Sequence, residues 1–381
     1  MNIYLDNAAS TPLDPEVFAH MTPFFCEQIG NPSSTHAHGR NLRNLIEQAR
    51  KTIATHIGAN PREIYFTSGG TEADNMAIVG AVQAYPITHI ISTVIEHHAV
   101  THTIEHLEAE GKIKAVWLPL DHKGNIDLDD LRSALQQAPK ALVSLMHANN
   151  EIGTLHDIHA IGEICKEHDA LFHSDTVQTM GTLRYDLSSL SIDFLAASAH
   201  KFYGPKGVGF LYIRKGVKIS SLILGGSQER NMRPGTENIP GILGMAYAFD
   251  KCYKNLDHKN KHLWSLKTYM KEQLELRLPG VTFNGETEPG KSNPTVLNVA
   301  MPCNEADCML LFNLDIHGIS VSGGSACNSG ANLGSHVLRG IGAPRNALMN
   351  SIRFSFGMPN TKEEIDITIG KLQEIVKQPV I

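Results

Sequence analysis

Ser198-Ala-His-Lys201-Phe-Tyr-Gly-Pro-Lys-Gly-Val-Gly209 closes an apolar run, Ser191-Ile-Asp-Phe-Leu-Ala-Ala197, and decides how the chain is read. The run has the composition of a strand buried on both faces, and the basic stretch ends it abruptly. A lysine at the carboxyl end of such a strand stands where open α/β sheets place their ligands. Partial burial there disfavours the ammonium form, and an amine must be neutral to attack a carbonyl. Lys201 is therefore a candidate Schiff-base former. The ordinary alternative is a lysine that only solvates a surface, and this fragment alone does not separate the two.

Working outward, strands and helices alternate on the amino-terminal side. Glu63–Thr67, the stretch from His89, Lys114–Pro119, Ala141–Met146 and Ala170–His173 read as strands, with helices between them. Leu42, Leu45, Ile46, Ala49, Ile53 and Ile57 recur at three- and four-residue steps, the period of an amphipathic helix. Such alternation predicts an α/β fold, a mostly parallel sheet covered by helices on both faces. On the carboxyl-terminal side, Gly207–Ile213 and Val217–Ser220 look like a hairpin returning across the sheet edge. Beyond Gly225-Gly226 long helical stretches run from Ile239 to about Leu278 and break at Pro279-Gly280. An α+β region follows, closed by a helix with a capping box at Thr361 and Glu364. The expected organisation is a large domain over residues 15–255 and a smaller domain built from 1–14 and 256–381.

Composition narrows the class. The chain has 381 residues, 42% of them hydrophobic and 19% charged, which suits an ordinary globular protein of about two domains. A net charge of -6 argues against direct binding to nucleic acid or an anionic membrane. No apolar run approaches membrane-spanning length, and the first residues lack a signal-peptide pattern. The six cysteines show no CxxC spacing, so neither a zinc ribbon nor a disulfide framework is expected. A cytoplasmic location follows as the simplest expectation. His98, His102 and His106 could form a metal stripe on a helix, but without a companion carboxylate or cysteine cluster a solvated face is the better expectation, and no metal is assigned.

Chemistry is concentrated at the strand ends. Phe66-Thr-Ser-Gly69-Gly70-Thr71 runs from a strand into a helix, where free N–H groups and the positive dipole end would cradle a phosphate. A plain N-capped turn is the competing reading. His97, in Glu96-His97-His98, could lie flat on an aromatic ligand or shuttle a proton; equally it could be a satisfied core histidine. Asn150 offers amide groups. Asp175, in His173-Ser-Asp175-Thr-Val-Gln178, could pair with a protonated ring nitrogen or merely cap the next turn. Ends of five successive expected strands thus carry a phosphate cradle, a ring stacker, an amide, an acid and an amine. Together they make the inventory that pyridoxal phosphate requires.

The motifs Tyr4-Leu-Asp-Asn-Ala-Ala-Ser-Thr-Pro12, Gly30-Asn-Pro-Ser-Ser34, Phe66-Thr-Ser-Gly-Gly-Thr-Glu-Ala-Asp-Asn75, Ala148-Asn-Asn-Glu-Ile-Gly153, Ala199-His-Lys-Phe-Tyr-Gly-Pro-Lys-Gly207 and Ser351-Ile-Arg-Phe-Ser355 span nearly the whole chain. On them the sequence resembles the fold-type I pyridoxal-phosphate enzymes, and within these the cysteine desulfurases of the IscS/NifS type. The resemblance implies pyridoxal 5'-phosphate as cofactor and L-cysteine as substrate. It implies Lys201 as the Schiff-base lysine, Asp175 as partner of the pyridinium nitrogen and His97 as the stacking, catalytic histidine. Gln178 and Asn150 match groups at the ring oxygen and substrate, and Gly70, Thr71, Ser198 and His200 match phosphate contacts. Thr236 matches a phosphate contact supplied from a second subunit, which implies a homodimer. Arg353 matches the arginine that clamps the substrate carboxylate.

Val321-Ser-Gly-Gly-Ser-Ala-Cys327-Asn-Ser-Gly330 resembles the family loop whose cysteine takes sulfur as a persulfide. Gly323 and Asn328 depart from the more usual Ser at the first position and Ser or Thr at the second, which bears on loop mobility and thiol acidity rather than on the role of Cys327. Protein sulfur acceptors, such as an iron–sulfur cluster scaffold or a sulfur carrier, are the implied partners. A selenocysteine lyase or an aminotransferase on the same scaffold is the alternative, and a non-catalytic docking scaffold is disfavoured by intact Lys201, Asp175 and Cys327.

Overall fold

A seven-stranded sheet positions the strand ends in the computed structural model, which describes residues 2–303, 309–323 and 334–377. After a short strand β1 (Ile3–Tyr4), the sheet is built from β2 (Ile64–Thr67), β3 (His89–Ser92), β4 (Lys114–Trp117), β5 (Ala141–Ser144), β6 (Leu171–Asp175), β7 (Phe194–Ser198) and β8 (Gly209–Ile213). Their order across the sheet is β2-β8-β7-β6-β5-β3-β4. Only β8 runs against its neighbours, so the carboxyl ends of the other six strands share one edge. Every residue of β5, β7 and β8 is buried, as continuous apolar runs require when helices cover both faces.

Two expectations need correction here. Gly209–Ile213 is not half of an edge hairpin: β8 is inserted between β2 and β7, and Val217–Ser220 forms no strand. Ser220 N–H instead donates to Gly80 O on the helix Gly70–Ala84. Full burial on both sides suits Phe-Leu-Tyr-Ile to an interior position, which local pattern could not tell from an edge. The site-bearing strands are also not successive, because β4 intervenes between β3 and β5 in the chain. It lies at the edge of the sheet, paired with β3 alone.

A second core gathers Ile3, Leu5, Leu263, Met270, Leu297, Phe354 and Ile369. Around it stand the antiparallel sheet β9 (Thr282–Asn284), β10 (Val296–Ala300) and β12 (Ser351–Ser355), and β11 (Ile319–Ser320), which pairs in parallel with β1. The helix Leu256–Arg277 ties the two cores together. Its Lys259 Nζ donates to Gly181 O at 2.8 Å, while Lys267 Nζ donates to Asn293 O at 2.8 Å and to Ser292 Oγ at 2.6 Å. Asn293 Nδ2 in turn donates to Gln178 O at 2.8 Å, which sets the backbone just beyond β6. The closing helix, Lys362–Lys377, has the expected capping box: Glu364 Oε2 accepts from Thr361 N–H and Glu364 N–H donates to Thr361 Oγ1. Among the described residues, no helix is long and apolar enough to cross a membrane.

Candidate active site

The carboxyl edge of the sheet encloses a cavity of about 310 Å³. His97, Asn150, Asp175, Gln178, Ser198, His200, Lys201 and Arg353 line it, together with Gly70 and Thr71. Thr236 does not line it; in this chain that side chain is exposed on the segment before the helix Ile239–Lys254. Cys327 and Asn328 lie outside the described residues. On either side of them, Gly323 and His336 both form part of the cavity wall.

At one end, β2 turns into the helix Gly70–Ala84. Gly69 has φ 154°, and no side chain caps the helix amino terminus. A Cβ on Gly209 would stand 2.2 Å from Ala197 O and 2.8 Å from Gly69 Cα, so glycine lets β8 press its backbone against the turn. A Cβ on Gly70 would stand 2.6 Å from Val177 Cγ2. Ser198 Oγ lies 3.5 Å from the corresponding point on Gly69. Uncapped N–H groups, a helix dipole and a nearby hydroxyl form an anion cradle.

Three carboxyl groups are buried near the middle, and burial raises the pKa of each. Glu96 is pushed up to about 8, and Asp74, beside Asp175 and Glu96, is raised well above the usual range. Asp175 is also raised by burial, an effect only partly offset by Lys201 and by the Val177 N–H, which its Oδ1 accepts at 2.8 Å. Asp175 is therefore the carboxyl best placed to be the anion, while burial favours the protonated form of Asp74 and Glu96 behind it. The cap reading and the pocket reading of Asp175 are both realised, since it caps the turn while facing the cavity. His97 Nδ1 accepts Ala99 N–H at 3.1 Å, and burial holds the imidazole below its ordinary pKa, so its proton resides on Nε2.

The amine and the arginine meet the amino-terminal segment. Lys201 Nζ donates to Ala8 O at 2.5 Å and Ala9 O at 3.0 Å, and Gln178 Nε2 donates to Ala8 O at 3.1 Å. Thr11 fixes this segment by donating its N–H and its hydroxyl to His200 O. His200 Nδ1 lies 3.3 Å from Ser10 Oγ, and burial lowers the pKa of His200 to about 4. Arg353 Nη1 donates to Asn150 O at 3.0 Å and Nη2 to Asp6 Oδ1 at 2.8 Å. Arg353 Nε and Asn150 Oδ1 are buried without a hydrogen-bond partner among the described residues. One is a charged donor and the other an acceptor, in the wall of one cavity, which suits a ligand bearing both a carboxylate and a donor.

Several residues in the wall (Ala8, Ala9, Asp74) or behind it (Asp6, Glu96) carried no assigned role in the sequence. Ala8 and Ala9 act through main-chain carbonyls, Asp6 orients Arg353, and Asp74 and Glu96 are the silent neighbours of Asp175. The only signal for the first three was the motif Tyr4–Pro12 itself. The expected solvated stripe holds at His102 and His106, which are exposed, but not at His98, whose ring is half-buried and packs 4.3 Å from His336 and 4.5 Å from His102. Burial and these neighbours lower His98 to about 4. His106 pairs instead with Glu110 at 3.3 Å, and no metal-holding cluster occurs among the described residues.

The aminotransferase class-V family model matches residues 3–368, and the chain belongs to that family. The cysteine desulfurase IscS of Dictyoglomus turgidum is 46% identical over 380 residues, 99% of this chain and 95% of that protein. Among solved structures, a NifS-like protein superposes with a TM-score of 0.90 at 36% identity, covering 98% of this chain and 99% of the other. SspA in complex with cysteine gives 0.81 at 32% identity, with 93% and 98% covered. The resemblance read from the motifs therefore holds over the full chain, for family and for fold alike.

Proposed function

We propose that this protein is a cysteine desulfurase that binds pyridoxal 5'-phosphate, converts L-cysteine to L-alanine and takes the sulfur as a persulfide on Cys327. The observation that carries this is the meeting of an anion cradle, a buried carboxylate, a histidine, a lysine and an arginine around one cavity of about 310 Å³. Relatives named cysteine desulfurase, and a solved neighbour holding cysteine, support the substrate class.

The residues fit the cofactor. Gly70, Thr71, Ser198 and His200 would hold its phosphate, His97 its ring face, Gln178 its ring oxygen and Asp175 the proton on its ring nitrogen. When bound, it supplies an electron sink for the carbanion left at the substrate α-carbon. Lys201 anchors it covalently and then takes the α-proton, a transfer that needs the free amine. Arg353 binds the substrate carboxylate with its unspent donor, and Asn150 contributes its amide oxygen. The Cys327 thiolate attacks the substrate sulfur, its S–H proton having left beforehand. A new S–S bond forms as the C–S bond breaks, and the carbon fragment is protonated to alanine. The positions of Gly323 and His336 in the cavity wall support a route by which that thiol reaches the site.

In this proposal two copies form a homodimer, Thr236 of each reaching the other's cofactor phosphate. The protein works in the cytoplasm and hands sulfur to a protein acceptor, such as an iron–sulfur scaffold or sulfur carrier. The two-domain division at 15–255, with 1–14 and 256–381 as the second unit, belongs to the same proposal. Incubation with cysteine and a reductant, measuring alanine and sulfide together, tests it. Equal amounts of both are expected. Cysteine consumed only with an added 2-oxo acid, its amino group passing to that acceptor and no sulfide released, would instead mark an aminotransferase, and a strong preference for selenocysteine a lyase.

A further inference from the structure

Glu229, Arg230 and Asn231 have φ of 44°, 57° and 67°. Three consecutive left-handed residues without glycine are strained, and such a turn persists only where its surroundings over-determine it. Here they do. Glu229 is buried and takes both arms of the buried Arg50 guanidinium, at 2.7 and 2.8 Å. The same carboxylate accepts Phe66 N–H at 2.9 Å, while Ile64 O accepts from Arg50 at 2.8 Å and from Arg230 at 2.7 Å. The strained turn is thus bonded along the free edge of β2, the strand that runs directly into Ser68-Gly69-Gly70-Thr71.

Four residues past Glu229 a second link reaches the phosphate turn itself. Arg233 Nε donates to Glu72 Oε1 at 2.7 Å, and Nη2 donates to Glu72 Oε2 at 3.2 Å. Glu72 Oε2 also accepts Ser68 N–H at 2.7 Å. Glu72 therefore bridges Arg233 to the backbone that leads into the cradle. It also sits in the first helical turn, where an unpaired carboxylate would compete with an incoming phosphate for the same dipole and N–H groups. Arg233 neutralises that charge and holds the carboxylate on Ser68 rather than over the cradle.

We propose that Arg233 is a positioning residue for phosphate binding: acting through Glu72, and braced by the Arg50–Glu229 pair, it shapes the Ser68–Thr71 turn for a phosphate dianion. It touches neither ligand nor reacting atom. This rests on the cradle being a pyridoxal-phosphate site, and deepens that reading by naming what tunes its affinity.

The test compares pyridoxal 5'-phosphate with pyridoxal, which lacks the phosphate, on apoenzyme of the wild type, Arg233→Gln, Glu72→Gln and the double variant. The readouts are the dissociation constant by absorbance and the borohydride-fixed adduct on Lys201. Arg233→Gln should weaken pyridoxal 5'-phosphate about tenfold and leave pyridoxal unchanged. The double variant should be no worse than Arg233→Gln, because both changes break one link. Arg233→Lys, which keeps the charge but not the fork, should recover part of the loss. Equal weakening of both ligands, or a fall in the melting temperature of the apoenzyme with neither constant changed, overturns the proposal. If the wild type itself fixes neither ligand on Lys201, the cofactor assignment has failed rather than the role of Arg233.

Discussion

Arg353 Nη2 lies 2.8 Å from Asp6 Oδ1, and Asp6 Oδ1 also accepts the Ser322 hydroxyl at 2.9 Å. Asp6 thus joins the arginine of β12 to the residue just before Gly323, where the chain passes out of the described region toward Cys327. The guanidinium plane is set by Asp6 and Asn150 O before any substrate arrives, so it need not be ordered at the moment of binding. Arg353→Lys loses the planar fork and is expected to raise KM for cysteine about tenfold or more. Asp6→Asn, which reaches the substrate site through Arg353 while keeping an oxygen for the Ser322 hydroxyl, should raise KM less and leave kcat closer to wild type. Steady-state alanine formation measures both, and an unchanged KM in Arg353→Lys removes that residue from the substrate site.

Lys201→Ala should fold and still admit the cofactor to the cradle, but hold it without a covalent bond. Borohydride reduction followed by peptide mapping should find a pyridoxyl group on Lys201 of the wild type and on no lysine of the variant. An adduct on Lys206 in either protein would move the anchoring role there.

Asp175→Asn should slow α-proton exchange far more than it weakens cofactor binding. A neutral amide cannot hold the ring-nitrogen proton, and burial favours the protonated form of the neighbouring Asp74 and Glu96, so neither is a ready substitute anion. Deuterium wash-in at the cysteine α-carbon is the direct readout; near wild-type exchange contradicts the role.

How much of this was legible beforehand depended on where each residue's chemistry resides. Lys201, Asp175, His97, Asn150 and the Gly-Gly-Thr turn could be found because distinctive side chains follow apolar strands, and a parallel sheet delivers all such ends to one edge. The holders of Lys201 could not. Ala8 and Ala9 act through carbonyl oxygens, which every residue possesses, and they come from some 190 positions away in the chain. The interior place of β8 was likewise hidden, since an apolar pentapeptide reads alike at an edge and at a centre. Asp74 and Glu96 looked like ordinary polar residues of a helix start and a loop, and only the packing reveals them as buried acids. Thr236 could be placed by resemblance alone, because its expected contact is with a second copy.

Glu96 supplies a pH-dependent check on this electrostatic picture. Its carboxyl titrates at about 8 in the fold because of burial, against 4.5 in an exposed chain. The folded state therefore holds more protons between those values, and the contribution of Glu96 to stability falls as pH rises from 4.5 to about 8. Glu96→Gln keeps an oxygen to accept Met146 N–H and cannot ionise. Its melting temperature relative to wild type should climb steadily between pH 5 and pH 8. A difference independent of pH would mean that Glu96 is not a buried, neutral acid.

The most direct test of the proposed function follows one sulfur atom. Among the described cysteines, burial raises the thiol pKa of Cys165 and Cys252, so neither forms a thiolate readily, and Cys26 is exposed on a short helix outside the cavity lining. A brief pulse of L-cysteine, followed by alkylation and peptide mass spectrometry, should find one added sulfur on the Cys327 peptide alone, with one alanine released per site. Cys327→Ser should retain the cofactor but yield neither. Added sulfur on Cys26 or Cys303, or unimpaired alanine release by Cys327→Ser, would contradict the assignment of Cys327 as the sulfur acceptor.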